Sequence, residues 1–167
     1  MRAVANAGPL IHLSWIGQLR LLPALFSEVI VPVAVRDEVL RAGSDVPGVS
    51  DLRNAFAADQ FFVQRVVDLA AVEALTASLD RGESEALILM REVQADLLLM
   101  DDRRARLEAL RQGYSLMGTV GILRIARSRE LIPSAAALLE ELRELGFRLS
   151  TALLELVQQE ESNSAGQ

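Results

Sequence analysis

Polar side chains with oxygen donors stand beside the apolar runs of this 167-residue chain, where hydrophobic patterning alone does not explain them. Two aspartates directly follow a fully apolar run, and an asparagine ends the first apolar run of the chain. Glutamates lie within the predicted helices between these runs. Oxygen donors of this kind are the ligands that Mg²⁺ and Mn²⁺ prefer, so a metal site is one interpretation. The candidates are Asn6, Glu38, Glu83, Glu85, Asp101 and Asp102.

A structural role for the same acids is the alternative. The N-terminal end of a helix carries a partial positive charge, which favours Asp and Glu in its first turn. Glu83, Glu85, Asp101 and Asp102 all fall near predicted helix starts, and Glu38 could be a solvated helix residue. Spacing alone leaves both interpretations open.

The residue types that are absent exclude most other site chemistry. The chain has no Cys, which removes disulfides, thiolate catalysis and cysteine-ligated metals. His12 is the only histidine, and we predict a structural or surface role for it. All 17 basic residues are arginines, so a Walker A lysine and Schiff-base catalysis are excluded as well. An enzyme of this composition would use carboxylates with Mg²⁺ or Mn²⁺.

Charge is unevenly distributed along the chain. The net charge is −6, which argues against general binding of polyanions. Residues 103–129, however, contain seven arginines and one acid, Glu108. Arginine makes bidentate contacts to phosphate, so this segment is either a nucleic-acid interface or a pair of solvated helix faces. The candidates for nucleic-acid contact are Arg103, Arg104, Arg106 and Thr119, the last of which is also a candidate helix cap.

Short apolar runs that alternate with helical patterns predict an α/β fold with a parallel sheet buried on both faces. The predicted strands are residues 2–6, 29–31, 61–67, 97–100 and 114–117. The predicted helices are one around residues 10–15 and those over 19–26, 33–41, 52–58, 69–79, 83–93, 103–111, 118–129, 133–145 and 150–159. Residues 43–51 are predicted to form a loop, and the tail from residue 160 is predicted to be disordered.

We expect one main domain over residues 1–150, followed by a C-terminal helix and tail over 151–167. The longest uncharged stretch, residues 3–19, contains too many polar residues for a membrane span or a secretory signal. The sequence therefore predicts no membrane association and a cytoplasmic location.

Five segments in order resemble the PIN-domain family of VapC-like nucleases, in particular a branch of predicted nucleic-acid-binding proteins with Asn at the end of strand one. Together they span about residues 2–150. The segments are Val4-Ala5-Asn6-Ala7-Gly8-Pro9-Leu10-Ile11, Val31-Pro32 with Val35-Arg36-Asp37-Glu38-Val39, Leu79-Asp80-Arg81-Gly82-Glu83-Ser84-Glu85-Ala86, Leu97-Leu98-Leu99-Met100-Asp101-Asp102 with Arg106, and Gly118-Thr119-Val120-Gly121-Ile122-Leu123.

The resemblance implies a three-layer α/β/α sandwich and a ribonuclease that depends on Mg²⁺ or Mn²⁺. It maps the second acid of the family to Glu38, the third to Glu83 or Glu85, and the fourth to Asp101 or Asp102. It further implies a toxin of a toxin–antitoxin pair, with RNA as substrate, an antitoxin as protein partner and a homodimer as assembly.

Asn6 departs from the family pattern, because the first acid of the family falls at this position. An amide oxygen can bind a hard cation but contributes no charge, which weakens the affinity for Mg²⁺. The resemblance therefore leaves two functions open: an active ribonuclease, or a catalytically weakened PIN-like module that binds nucleic acid or a protein partner.

Overall fold

The computed structural model of the protein describes residues 1–41, 43 and 45–165. The chain divides into two compact units, Met1–Thr119 and Val120–Gln167. No helix in the described part of the chain is both long enough and apolar enough to cross a membrane.

The first unit is built on a parallel sheet of five strands in the order β3-β2-β1-β4-β5. The chain first builds outward from β1 to β2 and β3, and then returns to add β4 on the other side of β1. This reversal places the topological switch point between β1 and β4. The strands are β1 Arg2–Ala5, β2 Glu28–Pro32, β3 Phe62–Gln64, β4 Leu97–Leu99 and β5 Leu116–Met117.

Helices connect the strands, as a parallel sheet requires. Buried side chains alternate between the two faces of the central strands: Val4, Ile30 and Leu98 lie in one core cluster with residues of α5, α6 and α7. The helices that begin in this unit are α1 Ala7–Trp15, α2 Leu21–Leu25, α3 Val33–Arg41, α4 Val49–Ala57, α5 Leu69–Leu75, α6 Arg81–Val93, α7 Arg103–Arg111 and α8 Thr119–Ser128.

All five predicted strands and the predicted α/β/α class are confirmed, with differences at the boundaries. The third strand is shorter than the predicted 61–67 because the chain turns away, and Glu92 accepts hydrogen bonds from the N–H groups of Val67 and Asp68. Helix α4 begins inside the predicted loop 43–51, where Gly48 adopts φ +81 at the N-cap. Residue 44 of that loop lies outside the described residues.

The second unit contains α8 from Val120 onward, α9 Ala135–Glu144 and α10 Thr151–Ala165. Ser150, the first residue of the predicted helix 150–159, is the N-cap of α10, since its Oγ accepts a hydrogen bond from Leu153 N at 3.2 Å. The predicted disorder from residue 160 is wrong for residues 160–165, which are helical; residues 166 and 167 lie outside the described part.

Two glutamates explain why α10 continues past the predicted end. Glu161 accepts hydrogen bonds from Ser134 Oγ at 2.7 Å and from Ala135 N at 2.5 Å, so it satisfies donors at the start of α9. Glu160 accepts two hydrogen bonds from the guanidinium of Arg124, at 2.6 and 3.0 Å. The contacts of Glu160 and Glu161 join residues that are far apart in the sequence, so the local composition did not indicate them.

Candidate functional site

The polar strand ends predicted from the sequence lie at the switch point of the sheet. Asn6 directly follows β1, and Asp101 and Asp102 come just after β4, its neighbour on one side. The backbone N–H of Asn6 donates to the carbonyl of Leu99 at 3.0 Å, which keeps the two strand ends side by side. In open parallel sheets, the crevice beyond these strand ends is where ligands bind.

Asp101 is the most firmly held carboxylate of the site. Thr119 donates to it twice, from its backbone N–H to Oδ1 at 2.7 Å and from its hydroxyl to Oδ2 at 2.6 Å. His12 Nδ1 lies 2.7 Å from the same Oδ2, and because an ionised carboxylate can only accept, the histidine is the donor. Burial alone would raise the pKa of Asp101, but these donors outweigh it and lower the pKa.

Two glycines allow the chain to close around Asp101. A Cβ at Gly118 would stand 2.8 Å from Oδ1, and one at Gly8 would stand 3.2 Å from the Cβ of Asp101. Arg106 Nη1 is 3.0 Å from the position of that Gly118 Cβ. Any larger residue at Gly118 would therefore have to displace the Asp101 carboxylate or the Arg106 side chain. The absence of side chains at both positions is therefore part of how Asp101 is placed.

Glu38 lies beside the start of α6. The residue is exposed as a whole, yet its Oε2 would be only 2.9 Å from a Cβ on Gly82, so the carboxylate end is partly withdrawn from water. This desolvation, together with the negative charge of Asp80, raises the pKa of Glu38, while Arg41 acts in the opposite direction. Within the described residues, neither carboxylate oxygen of Glu38 has a hydrogen-bond donor.

Glu83 forms a capping box with Asp80 at the start of α6. Glu83 N donates to Asp80 Oδ1 at 2.7 Å, and Asp80 N donates to Glu83 Oε2 at 3.0 Å. Burial raises the pKa of Glu83 despite that bond, and the charges of Asp80, Asp102 and Glu38 raise it further. Glu83 is thus buried and close enough to Asp80, Asp102 and Glu38 for their charges to act on it.

The structural interpretation of the acids is realised for Glu83 in its capping box and for two further residues. Asp102 is the N-cap of α7, where its Oδ1 accepts from Arg104 N and Ala105 N. Glu85 is buried and accepts hydrogen bonds from Ala34 N and from the Arg81 side chain, at 3.1 and 2.8 Å. Glu85 is therefore fully engaged in joining α3 to α6, whereas Asp102 keeps Oδ2 without a partner in the described chain.

Asn6 is the most unusual residue of the site. It is 6% exposed, and its Oδ1 is buried without a hydrogen-bond partner among the described residues. It occupies the N-cap of α1, where such an oxygen commonly accepts from the third helical residue, but that residue is Pro9, which has no N–H. A buried amide oxygen without a donor is costly, which is consistent with a ligand for it that is not part of the chain.

The donor chemistry fits a hard divalent cation. Asn6 Oδ1, both oxygens of Glu38, Glu83 Oε1 and Asp102 Oδ2 lack hydrogen-bond donors among the described residues, and Asp101 Oδ1 accepts only one hydrogen bond. A positive ion would relieve the repulsion that raises the pKa of Glu38 and Glu83. In the described part of the chain, however, no three acidic or histidine side chains are already gathered as a ligand cluster.

The four residues predicted to contact nucleic acid differ in their surroundings. Arg103 is exposed at the start of α7, whereas Arg104 donates to the Ser78 carbonyl at 2.8 Å and Arg106 to the Met100 carbonyl at 2.9 Å. Thr119 is fully buried, so it does not face nucleic acid, and its role is instead to hold Asp101.

Two members of the site were not predicted. His12 was assigned a structural or surface role, and it in fact donates to the central aspartate while packing edge-on against Trp15. Asp80 lay within a segment that resembles the family but was not among the candidate site residues, yet its charge acts on both Glu38 and Glu83. The sequence gave no sign of this contact, because His12 and Asp101 are 89 positions apart.

We expect Asp101→Asn to lower the free energy of unfolding by about 2–3 kcal/mol at pH 7, because charge-assisted hydrogen bonds to a buried group are lost. The pKa of Asp101 is lowered in the folded state, so its contribution is complete above the ordinary Asp pKa of about 3.9 and disappears as the pH falls through the folded value. Urea unfolding at pH 7 and at pH 3 measures the difference.

The exposed Asp37→Asn variant is the control for this measurement and should stay within about 0.5 kcal/mol of the wild type. A stability loss for Asp101→Asn that is equally large at both pH values would contradict the lowered pKa.

Comparison with known proteins agrees with this architecture. A family model described as PIN domain matches residues 2–163, which is nearly the whole chain. No curated protein gives a significant match. The matched span contains the five-stranded parallel sheet, its flanking helices and every acid of the candidate site. The chain therefore belongs to the PIN-domain family.

Proposed function

We propose that the protein is a ribonuclease of the PIN type that depends on Mg²⁺ or Mn²⁺. The observation that carries this proposal is a set of oxygens without hydrogen-bond donors among the described residues, on Asn6, Glu38, Glu83 and Asp102. The Asn6 oxygen is buried, and the charges of Glu38 and Asp102 both act on Glu83. Oxygens without hydrogen-bond donors lower the stability of the folded chain. Proteins keep such a destabilising feature at functional sites, and here a cation and a phosphate would supply the missing partners.

Asn6, Glu38 and Asp102 are the residues that would hold the ion, with Asp101 contributing through the free position on Oδ1. The ion would lower the pKa of a bound water and offset negative charge on the scissile phosphate. Asp101 is fixed by Thr119 and His12, so it would offer its oxygen to the ion without having to move.

Glu83 Oε1 would accept the proton of the attacking water. This oxygen has no hydrogen bond within the described residues, and the raised pKa of Glu83 makes it a better proton acceptor than an ordinary carboxylate. The capping box keeps the other oxygen, Oε2, on Asp80 N, so the orientation of the carboxylate is fixed by the helix.

Arg103 is the residue best placed to bind substrate. It lies one position after Asp102, is exposed, and has no ion pair in the described chain. An exposed guanidinium beside the site would bind a phosphate of a single-stranded RNA in a bidentate manner. Arg104 and Arg106 would support α7 through their bonds to backbone carbonyls.

The alternative function is a PIN-like module that binds nucleic acid without cleaving it. Asn6 favours this alternative, because the site has one charge fewer than the family pattern. Binding of RNA that is insensitive to EDTA, without cleavage, would support it over the nuclease.

We expect purified protein to cleave single-stranded RNA in the presence of Mn²⁺ and not in the presence of EDTA. Glu38→Gln, which keeps the shape and removes the charge, should reduce the rate at least about a hundredfold, as is typical when one group of a charged site is lost. A pool of labelled RNAs, resolved by electrophoresis, measures the cleavage.

Glu144→Gln is the matched control, since Glu144 is exposed on α9 and makes no hydrogen bond or ion pair within the described residues. Its rate should equal that of the wild type. Cleavage that persists in EDTA, or that is unchanged by Glu38→Gln, would rule out this mechanism.

We expect Asn6→Asp to increase the affinity for Mn²⁺ roughly tenfold, because it adds a negative charge beside the ion in a side chain of almost the same shape; a tenfold change corresponds to about 1.4 kcal/mol. Glu38→Ala should abolish binding. Calorimetric titration of Mn²⁺ into the wild type and both variants provides the measurement. An unchanged affinity for folded Asn6→Asp protein would show that Asn6 does not face the ion.

We further propose that the ribonuclease is the toxin of a toxin–antitoxin pair and acts on cytoplasmic RNA, as the resemblance to VapC-like nucleases suggests. Overexpression should arrest growth of the host, Glu38→Gln should relieve the arrest, and a small inhibitory protein should co-purify from the native host. Normal growth together with elution of the protein alone would contradict the toxin role and would leave the cleavage test unaffected.

A further inference from the structure

The two carboxylate oxygens of Asp101 differ in the number of hydrogen bonds that they accept. Within the described chain, Oδ2 accepts two, from the Thr119 hydroxyl at 2.6 Å and from His12 Nδ1 at 2.7 Å. Oδ1 accepts only one, from the Thr119 backbone N–H at 2.7 Å. Because an ionised carboxylate has about two lone-pair positions on each oxygen, Oδ2 is saturated and Oδ1 keeps one position open.

Helix α1 brings His12 to the saturated oxygen. Gly8 lies one helical turn before His12 on the same face of α1, and a Cβ at Gly8 would stand only 3.3 Å from Asp101 Oδ2. The His12 ring packs edge-on against Trp15, with the ring centroids 5.2 Å apart. The side chains of His12 and Asp101 are 19% and 16% exposed, so water has little room to replace the histidine as donor.

The number of open oxygens on a carboxylate affects which cation it can bind. Ca²⁺ takes about six to eight oxygen ligands in flexible geometry and accepts both oxygens of one carboxylate. Mg²⁺ demands a near-octahedral arrangement, and Mn²⁺ is also bound by octahedral sets of oxygens. A rigid carboxylate that offers a single oxygen therefore favours Mg²⁺ and Mn²⁺ over Ca²⁺.

We propose that His12 determines the cation specificity of the candidate site by occupying Asp101 Oδ2, so that Asp101 binds through Oδ1 alone and the site prefers Mn²⁺ and Mg²⁺ to Ca²⁺. This inference rests on the proposed function, since it requires a cation at the site. It goes further in assigning the choice of cation to a residue that acts only through Asp101. His12 is in this sense a positioning residue.

Thr119 alone would not have this effect. Its hydroxyl fills one position on Oδ2 and its backbone N–H fills one on Oδ1. Without His12, each oxygen of Asp101 would have one open position, which is what a cation needs in order to contact both. The hydrogen bond from His12 is thus the difference between one and two available oxygens.

A purely structural role for His12 predicts a different result. If the histidine served only to hold α1 beside Asp101, its removal would weaken the binding of every divalent cation by a similar factor. The ratio of the Ca²⁺ and Mn²⁺ dissociation constants would then stay the same. This ratio therefore separates specificity from general support of the site.

The variants His12→Leu and His12→Asn form a matched pair for the test. Both lose the imidazole and its contact with Trp15, and their side chains are similar in size, but only Asn supplies an N–H group near the position of Nδ1. Calorimetric titration of Mn²⁺ and Ca²⁺ into the purified full chain measures both dissociation constants. The wild type should bind Mn²⁺ more tightly than Ca²⁺.

We expect the ratio of the Ca²⁺ to the Mn²⁺ dissociation constant to fall roughly tenfold in His12→Leu, since losing the hydrogen-bond partner of a metal ligand typically changes metal affinity about 10–100-fold. His12→Asn should keep a ratio close to that of the wild type. Circular dichroism of each variant checks that the chain is folded.

Thr119→Val provides a second test that does not depend on the folding of a His12 variant. It keeps the backbone N–H on Oδ1 and removes the hydroxyl from Oδ2 without changing the shape of the side chain. The same fall in the ratio is expected, and Thr119→Ser, which retains the hydroxyl, should preserve the ratio of the wild type.

A wild type that binds Mn²⁺ and cleaves RNA, with an unchanged ratio in His12→Leu or Thr119→Val, would overturn this inference and leave the proposed function intact. An equal fall in His12→Leu and His12→Asn would also overturn it, because the effect would then come from the imidazole and not from its N–H. A wild type that binds neither cation would overturn both proposals.

Discussion

The candidate site depends on one carboxylate, Asp101, which is largely withdrawn from water and yet keeps its charge. Asp101 would be expected to resist ionisation, since burial favours the neutral form. It remains charged because Thr119 and His12 supply three hydrogen bonds, and because Gly8 and Gly118 leave room for the chain to close around it. This arrangement provides a fixed negative group at the switch point of the sheet.

The acids around α6 show the opposite behaviour. Glu38 and Glu83 have raised pKa values because burial and neighbouring charges disfavour their ionised forms. Asp101 thus finds its hydrogen-bond donors within the chain, whereas at Glu38 and Glu83 the groups that favour the charged form do not outweigh burial and the neighbouring acids. In the proposed function, a cation would be stabilised by the acids around α6 and would meet a fixed carboxylate at Asp101.

The sequence was informative about the fold wherever local patterns decided the structure. Helices α3 and α7 occupy the predicted residues because their limits depend on local signals: Pro32 stands before one, and Asp102 caps the other. The ends of β3 and α10 were missed, since Glu92 and Glu161 act over more than twenty residues of chain. The residues that gather around the site followed from the order of the strands, but their hydrogen bonds did not.

Asn6 shows why spacing alone could not separate a cap from a ligand. Its position at the N-cap of α1 is one that favours Asn for structural reasons, so the residue type was ambiguous. The ambiguity is reduced by Pro9, which removes the donor at the third helical position, and by burial, which keeps water from replacing it. Glu83 and Asp102 differ from Asn6 in this respect. In each of them, one carboxylate oxygen accepts a hydrogen bond at a helix start, and the other has no donor among the described residues. Capping and ligation are therefore compatible in these two residues, and the two interpretations of the acids need not exclude each other.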